Sequence, residues 1–357
     1  MATDLDHYRL LGRSGLRVSP MALGTMTFGI DKAWGTDEAE ARRIVDHYAE
    51  RGGNSIDTAN FYADGGSERM LGRILKDRRH RFVIASKYTL TTARGDPNAS
   101  GNQRKSMVRA VEDSLRRLDT DYLDLLYLHV WDSRTPVEEI LRGFDDLVRA
   151  GKILYAGISD TPAWQVSRMQ AIAELRGWAP LIALQIPYSL AERTVERDLM
   201  PMAREMGLGV LAWSPLAGGV LSGKYAAEDL AVAAQRPDDP KRRLDSRRDI
   251  NLASGRLSPR SLAIAAVVQD VARQVERTPA QVALAWTLLH RAVASPILGV
   301  RTLAQLQDNL GALELDFSPE QRRQLDEISR IDLGFPHEFL ASPAMGPMLG
   351  NVKCEPR

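Results

Sequence analysis

The chain has one cysteine in 357 residues, Cys354, close to the end of the sequence. That excludes a disulfide framework and a thiolate metal cluster, and it is the usage expected in a reducing compartment. Net charge is nearly absent too, with 47 basic and 46 acidic residues leaving +1. So small a field draws in no nucleic acid and favours a small or neutral partner. No apolar run approaches the ~18 residues of a membrane span. Asp4 and Asp6 put acid where a signal peptide carries cationic charge, so a cytoplasmic protein with neither nucleic-acid nor membrane partners is expected.

What is present is a large apolar fraction, 44%, distributed in short runs. One α/β barrel of roughly 250 residues plus insertions accommodates it, as would two smaller domains. After a possible hairpin (Tyr8 to Leu11, a turn at Gly12 to Gly15, then Leu16 to Val18), strand-like and helix-like segments alternate. Strands are expected at 18–24, 54–57, 81–86, 123–128, 153–158, 181–185, 208–213 and 293–298. The helices between them are readable from periodicity and caps: Thr36-Asp37-Glu38 opens one that runs to Arg51. Arg104 to Leu118 carries an apolar stripe, and Thr135-Pro136-Val137-Glu138 starts another. The pattern predicts a (β/α)8 TIM barrel in a single domain over 1–357, with an open doubly wound sheet as the alternative, and the opening hairpin favours the barrel.

Two segments interrupt the alternation. Residues 214–258 hold Arg236, Lys241, Arg242, Arg243, Arg247 and Arg248 and are read as a mobile flap. The tail, 331–357, with Phe335, Phe339 and Pro343 to Pro347, is too rich in proline and glycine for a helix and is expected to pack over the barrel mouth.

The apolar runs end in chemically committed residues: Asp57, Lys87 and His129, with Tyr62 in the loop after Asp57, then Ser159, Gln185, Trp213 and Gly299. A phenol with an ordinary pKa of about 10 is a poor proton donor at neutral pH, and a nearby ammonium improves it by favouring the phenolate. Lys87 can supply that ammonium, Asp57 can hold it charged, and His129 can hydrogen-bond a reacting carbonyl oxygen. Such a set protonates an alkoxide as it forms, and so asks for a hydride donor. Each residue alone has an ordinary explanation, as a turn cap, a loop tyrosine, a strand exit or a core histidine. The argument rests on their coming together at consecutive strand ends.

In order and spacing these four residues resemble the catalytic tetrad of the aldo-keto reductases. Ser55-Ile56-Asp57-Thr58-Ala59, Leu123 to His129 and Trp213-Ser214-Pro215-Leu216 look like segments of the same family, and the resemblance runs from Tyr8 to Leu315. It implies a (β/α)8 barrel binding NADPH across the strand ends, with Tyr62 as proton donor, Lys87 and Asp57 tuning it, and His129 orienting the carbonyl. Gly24, Thr25 and Met26 would line the cofactor. Ser159 and Gln185 would bind its carboxamide, and Trp213 would stack on the nicotinamide. Ser214, Pro215, Leu216, Ala217, Gly218 and Lys224 would form the pyrophosphate loop.

Gly218 to Lys224 also fits the start of a nucleoside-triphosphate P-loop, but Tyr225 replaces the magnesium-ligating hydroxyl and no helix start is evident after it. Gly299, Arg301, Gln305, Asp308 and Asn309 resemble the family's adenosine and 2′-phosphate block. There a helix start offers N–H groups and Arg301 a guanidinium fork, which favours NADPH over NADH. Asp160 stands where many family members carry Asn, and Asp308 where Glu is common.

Phe28, Trp34 and Trp131 lie just beyond strands one and four and are expected to line a pocket for an aldehyde or ketone, with Phe335 and Phe339 closing it. Two other functions fit part of the sequence. One is a cofactor-binding regulatory subunit, since the potassium channel β-subunits share the Trp213 to Ala217 and Ser222 to Tyr225 segments but lack the histidine found here at 129. The other is a lyase that uses Lys87 as a Schiff-base nucleophile.

Overall fold

Short apolar runs bounded by turn residues suit parallel strands buried on both faces, and here they close on themselves. A computed structural model of the chain describes residues 4–29, 35–234 and 246–352. Trp34, Cys354 and the insertion's Arg236, Lys241, Arg242 and Arg243 lie outside the described residues.

The hairpin forms from β1 (Arg9–Leu10) and β2 (Arg17–Val18). The barrel units follow: β3 (Ala22–Gly24) and α1 (Glu38–Glu50), β4 (Ser55–Asp57) and α2 (Gly66–Leu75), β5 (Val83–Tyr88) and α3 (Arg104–Leu118), β6 (Leu123–Leu128) and α4 (Val137–Arg149). Next come β7 (Ile153–Ser159) and α5 (Ala163–Arg176), then β8 (Leu181–Pro187) and α6 (Leu199–Met206). After β9 (Gly209–Trp213) the chain makes α7 (Ala227–Ala234), α8 (Arg247–Ala253), α9 (Pro259–Gln274) and α10 (Pro279–Leu288) before β10 (Val293–Gly299) and α11 (Leu303–Leu310). It then adds α12 (Pro319–Ser329), α13 (His337–Leu340) and α14 (Met345–Met348). Strands β3 to β10 pair in parallel around a closed eight-stranded barrel in chain order, β10 meeting β3. This is the (β/α)8 architecture.

The hairpin seals one end. Leu11 and Val18 are fully buried with the inward residues Ala22, Val83, Leu125, Ile182 and Leu211. Gly12 takes φ +59°, and a Cβ there would lie 2.3 Å from the Ile182 carbonyl oxygen, so the turn tolerates little but glycine. With the strand starts plugged, the strand ends are the open face. Among the described residues no helix is long and apolar enough to cross a membrane.

Four expectations change. The first barrel strand starts at Ala22, not 18: Val18 belongs to the hairpin, and Ser19 leaves the sheet to donate its N–H and Oγ–H to Asn54 Oδ1, just before the donor-less Pro20. The insertion holds two helices, α7 and α8, and α7 begins two residues after Tyr225, where the sequence shows no evident helix start. The tail makes two single helical turns, held where Arg197 donates to the Asp332 carbonyl and His337 meets Asp198. Its Phe335 and Phe339 stack on one another with Phe335 85% exposed, so this pair does not close a pocket.

The last concerns Phe28, expected at a pocket wall and fully buried in the core between barrel and helices. Its ring follows a tight turn in which the Phe28 N–H donates to the Thr25 carbonyl at 3.0 Å. Phe28→Ala should therefore lower the urea-unfolding free energy by about 3–5 kcal/mol while leaving KM for carbonyl substrates unchanged. A raised KM without loss of stability would return Phe28 to the pocket.

Candidate active site

The barrel register brings the committed residues together. Gly24 pairs with Asp57 across β3 and β4, Asp57 with Ala85 across β4 and β5, and Lys87 with Tyr127 across β5 and β6. Lys87, fully buried, spends its ammonium on three acceptors: Asp57 Oδ2 at 2.6 Å, the Thr58 carbonyl at 2.8 Å and the Tyr62 oxygen at 3.1 Å. Asp57 Oδ1 accepts from Gln185 Nε2 at 2.7 Å. Burial works to discharge Lys87, but the charge and hydrogen bond of Asp57, with Tyr62, outweigh it and hold the ammonium above its ordinary value.

Tyr62 starts a single turn in which Ala63, Asp64 and Gly65 all take positive φ. That strained turn carries the ring over Lys87, whose Nζ lies 4.8 Å from the ring centroid. Burial raises the phenol's pKa, and the opposing pull of Lys87 does not cancel it. The net effect is the reverse of the simple expectation from an adjacent ammonium: the free site holds a protonated phenol. Because Tyr62 oxygen accepts from Lys87, its own O–H is left to donate elsewhere.

His129, at the end of β6, sets its ring edge-on to Tyr62 with centroids 6.0 Å apart. Burial first, then the Lys87 charge, push its pKa down to about 3, so the imidazole is neutral at neutral pH. Its Nδ1 is buried without a hydrogen-bond partner. The loop is fixed by Asn102, whose Nδ2 donates to Thr89 Oγ1 and to the Val130 carbonyl, both at 2.9 Å, while its Oδ1 accepts from the Asp132 N–H at 2.7 Å. Asn102 was not legible in the sequence, because it lies in an aperiodic loop and acts only through partners brought in by folding.

On the other half of the rim Ser159 is buried, Asp160 Oδ1 accepts from Trp213 Nε1 at 3.1 Å, and the Arg256 guanidinium sits 5.3 Å from the Trp213 ring centroid. Trp131 packs edge-on against Trp164 at 5.9 Å and keeps a buried, unpartnered Nε1. A cavity of about 210 Å³ opens between Pro187, Ser189, Trp213, Ser214 and Arg256. A larger one, about 410 Å³, lies between α2 and α3 and is lined by Arg69 and Arg73 of α2, Lys76 just past its end, and Arg116 and Arg117 of α3.

The loop after β9 is braced from within. Ser214 Oγ accepts from the Gly218 N–H at 3.0 Å, Leu216 and Ala217 pack on the core, and Asn251 of α8 donates to the Gly218 carbonyl at 3.0 Å. Gly218 and Gly219 both take positive φ, and a Cβ on Gly219 would lie 2.7 Å from Lys224 Nζ, so the ammonium folds over the bare backbone. Burial, then Arg301 and Arg247, lower the Lys224 pKa, and burial, Arg256 and Arg301 act on Arg247. Residues from three segments thus build one cationic patch, Pro215 included in its supporting turn.

The block after β10 is more internally satisfied than its sequence suggests. The Leu303 N–H donates to Glu40 Oε1, the Gln305 N–H is capped by Thr302, and Gln305 Oε1 folds back on the Arg301 N–H. This helix start therefore offers fewer free N–H groups than expected. Asp308 accepts from Thr278 and Gln281 of the α10 segment, and Asn309 is buried. Gly299 and Met26 remain exposed on the rim, Thr25 is buried with Oγ1 on the Asp57 carbonyl, and Gly24 packs under Ile297.

The model of the aldo/keto reductase family matches residues 20–330. The chain belongs to this family. It is similar to a norsolorinic acid reductase of Aspergillus flavus, 37% identical over 95% of this chain and 85% of the relative. An uncharacterized oxidoreductase of Bacillus subtilis, YrpG, is 37% identical over 90% and 95%, and an aryl-alcohol dehydrogenase of Pestalotiopsis microspora 33% over 98% and 89%. This aldo/keto reductase is accordingly an oxidoreductase by family and by relatives.

The neutral His129 has a stability consequence. Unfolded, it takes up a proton near pH 6.5, which the folded site refuses until about pH 3. Stability is thus full above the unfolded value and falls as the pH drops through that window. Between pH 7.5 and 5.0 urea unfolding should show a loss of about 2 kcal/mol assignable to this residue, absent in His129→Asn. An identical pH dependence in both proteins would refute a buried neutral imidazole.

Proposed function

We propose that this aldo/keto reductase is an NADPH-dependent reductase that transfers a hydride to an aldehyde or ketone, with Tyr62 as general acid. The observation that carries this reading is the buried line Asp57, Lys87, Tyr62, in which a protonated phenol rests its oxygen 3.1 Å from a held ammonium. When bound, the nicotinamide would supply the hydride. Tyr62 gives its proton to the carbonyl oxygen as negative charge develops there, and Lys87 stabilises the phenolate left behind. His129, neutral and with polar capacity unspent, orients that oxygen from the other side.

The residues fit such a cofactor. Trp213 offers a flat indole for the nicotinamide beside Ser159, Asp160 and Gln185, although Gln185 Nε2 is engaged with Asp57, which leaves its carbonyl oxygen for the carboxamide. Lys224, Arg247 and Arg301 repel one another, and cofactor phosphates would relieve that repulsion, with Arg301, in the block read for the 2′-phosphate, supporting NADPH over NADH. Gly24, Met26, Leu216, Gly218 and Gly299 would line the same path. Gln305 would reach the adenosine by leaving Arg301, whereas Asp308 is held by α10.

Trp131 and Trp164 supply an aromatic wall, and a relative named for an aryl alcohol supports an aromatic substrate. We read the chain as one barrel domain working in the cytoplasm on a small molecule. A Schiff-base lyase fits poorly, because its lysine must be neutral to attack and Asp57 keeps Lys87 charged. The presence of His129 favours turnover over a purely regulatory role.

Tyr62→Phe should cut turnover of an aromatic aldehyde by about 10²- to 10⁴-fold while NADPH still binds, as read by quenching of protein fluorescence. An active phenylalanine variant would remove Tyr62 from the chemistry.

A further inference from the structure

Asp160 stands at the end of β7 in the left-handed region, φ +41°, a conformation that costs free energy in a residue with a Cβ. Its backbone is pinned on both sides, the N–H donating to the Gln185 carbonyl and the carbonyl accepting from the Trp131 N–H, each at 3.4 Å. The turn delivers the carboxylate to the edge of Trp213. Burial raises the carboxylate's pKa and the Trp213 N–H and the Lys87 ammonium oppose that rise without cancelling it, while the residue keeps an exposed edge at the rim. On the indole face stands Arg256, which makes no hydrogen bond or ion pair among the described residues and feels Asp160 only at a distance. Trp213 is therefore flanked by charges of opposite sign.

A nicotinamide ring is neutral when reduced and carries a positive charge once its hydride has left for the carbonyl carbon. A carboxylate held beside the ring favours the charged state, and the amide common at this position in the family does so far less. We propose that Asp160 sets the redox poise of the bound nicotinamide, holding the oxidised cationic ring more tightly than the reduced one and so strengthening the hydride donor. Asp160 gains and loses nothing in the reaction: the hydride passes to carbon, the proton comes from Tyr62, and the carboxylate acts as a positioning charge. Arg256 opposes it from the ring face. The inference rests on the reading above that a nicotinamide stacks on Trp213.

The test is the ratio of dissociation constants for NADP+ and NADPH, measured by calorimetry on the full chain without substrate. Asp160→Asn keeps an oxygen for Trp213 and removes the charge. The ratio of the NADP+ to the NADPH constant should rise about tenfold, equivalent to about 30 mV for a two-electron couple. Asp160→Glu should keep the ratio within a few-fold of the wild type, and Arg256→Gln should move it the opposite way. Asp160→Ser is the second neutral variant if the asparagine form does not fold. Equal weakening of both forms, or no change in either, would overturn the inference and leave Asp160 as a prop for Trp213. Failure of the wild-type protein to bind either form would overturn the nicotinamide reading and this inference together.

Discussion

The ion pair between Asp57 and Lys87 is the constraint on which the rest of the rim depends. Both side chains are withdrawn from water, and a buried pair is tolerable only when its remaining hydrogen-bonding capacity is met. Lys87 meets it with the Thr58 carbonyl and the Tyr62 oxygen, and Asp57 with Gln185. Strands β4 and β8 stand on opposite sides of the eight-stranded ring, so the Gln185 bond to Asp57 spans the barrel interior. Satisfying a buried charge thus ties the two halves of the rim together. It also places a phenol at the end of the line, because that oxygen is one of the acceptors the ammonium needs.

Backbone strain collects around this pair. Among the non-glycine residues with positive φ, Ala63, Asp64, Thr89, Ser133, Asp160, Ser214 and Ala217 all follow barrel strands at the open end, whereas Asp119, Glu276 and Asn351 lie elsewhere. Such conformations persist only where the surroundings over-determine them. The surroundings here are short, specific bonds: Asn102 between the loops after β5 and β6, and Asn251 beneath Gly218. Among the described residues the plugged end opposite, sealed by the hairpin, has no comparable cluster of non-glycine residues.

Much of this was legible in the sequence, for identifiable reasons. Strands buried on both faces read as short apolar runs, so β6 was found with its limits unchanged and α3 from its stripe of Met107, Val108, Val111, Leu115 and Leu118, of which Val108 turns out exposed. Residues that close such runs fall on one rim by barrel geometry, which is why Asp57, Lys87 and His129 could be grouped before any distance was known. Side-chain partnerships across the rim were not legible. Gln185 reaching Asp57, Asp160 reaching Trp213, and Asp308 turning to α10 all join residues far apart in sequence. The burial of Phe28 was not legible either, because a turn residue after a strand can face either the mouth or the wall, and periodicity does not say which.

The central claim is that Lys87 and Tyr62 act as one proton-delivering unit organised by Asp57. A double-mutant cycle on kcat/KM with Lys87→Met, Tyr62→Phe and the combined variant tests it most directly. The account predicts that each single substitution removes most of the rate and that the double variant is no slower than the worse of the two. Losses that multiply would mean that the two residues contribute independently, and would contradict it.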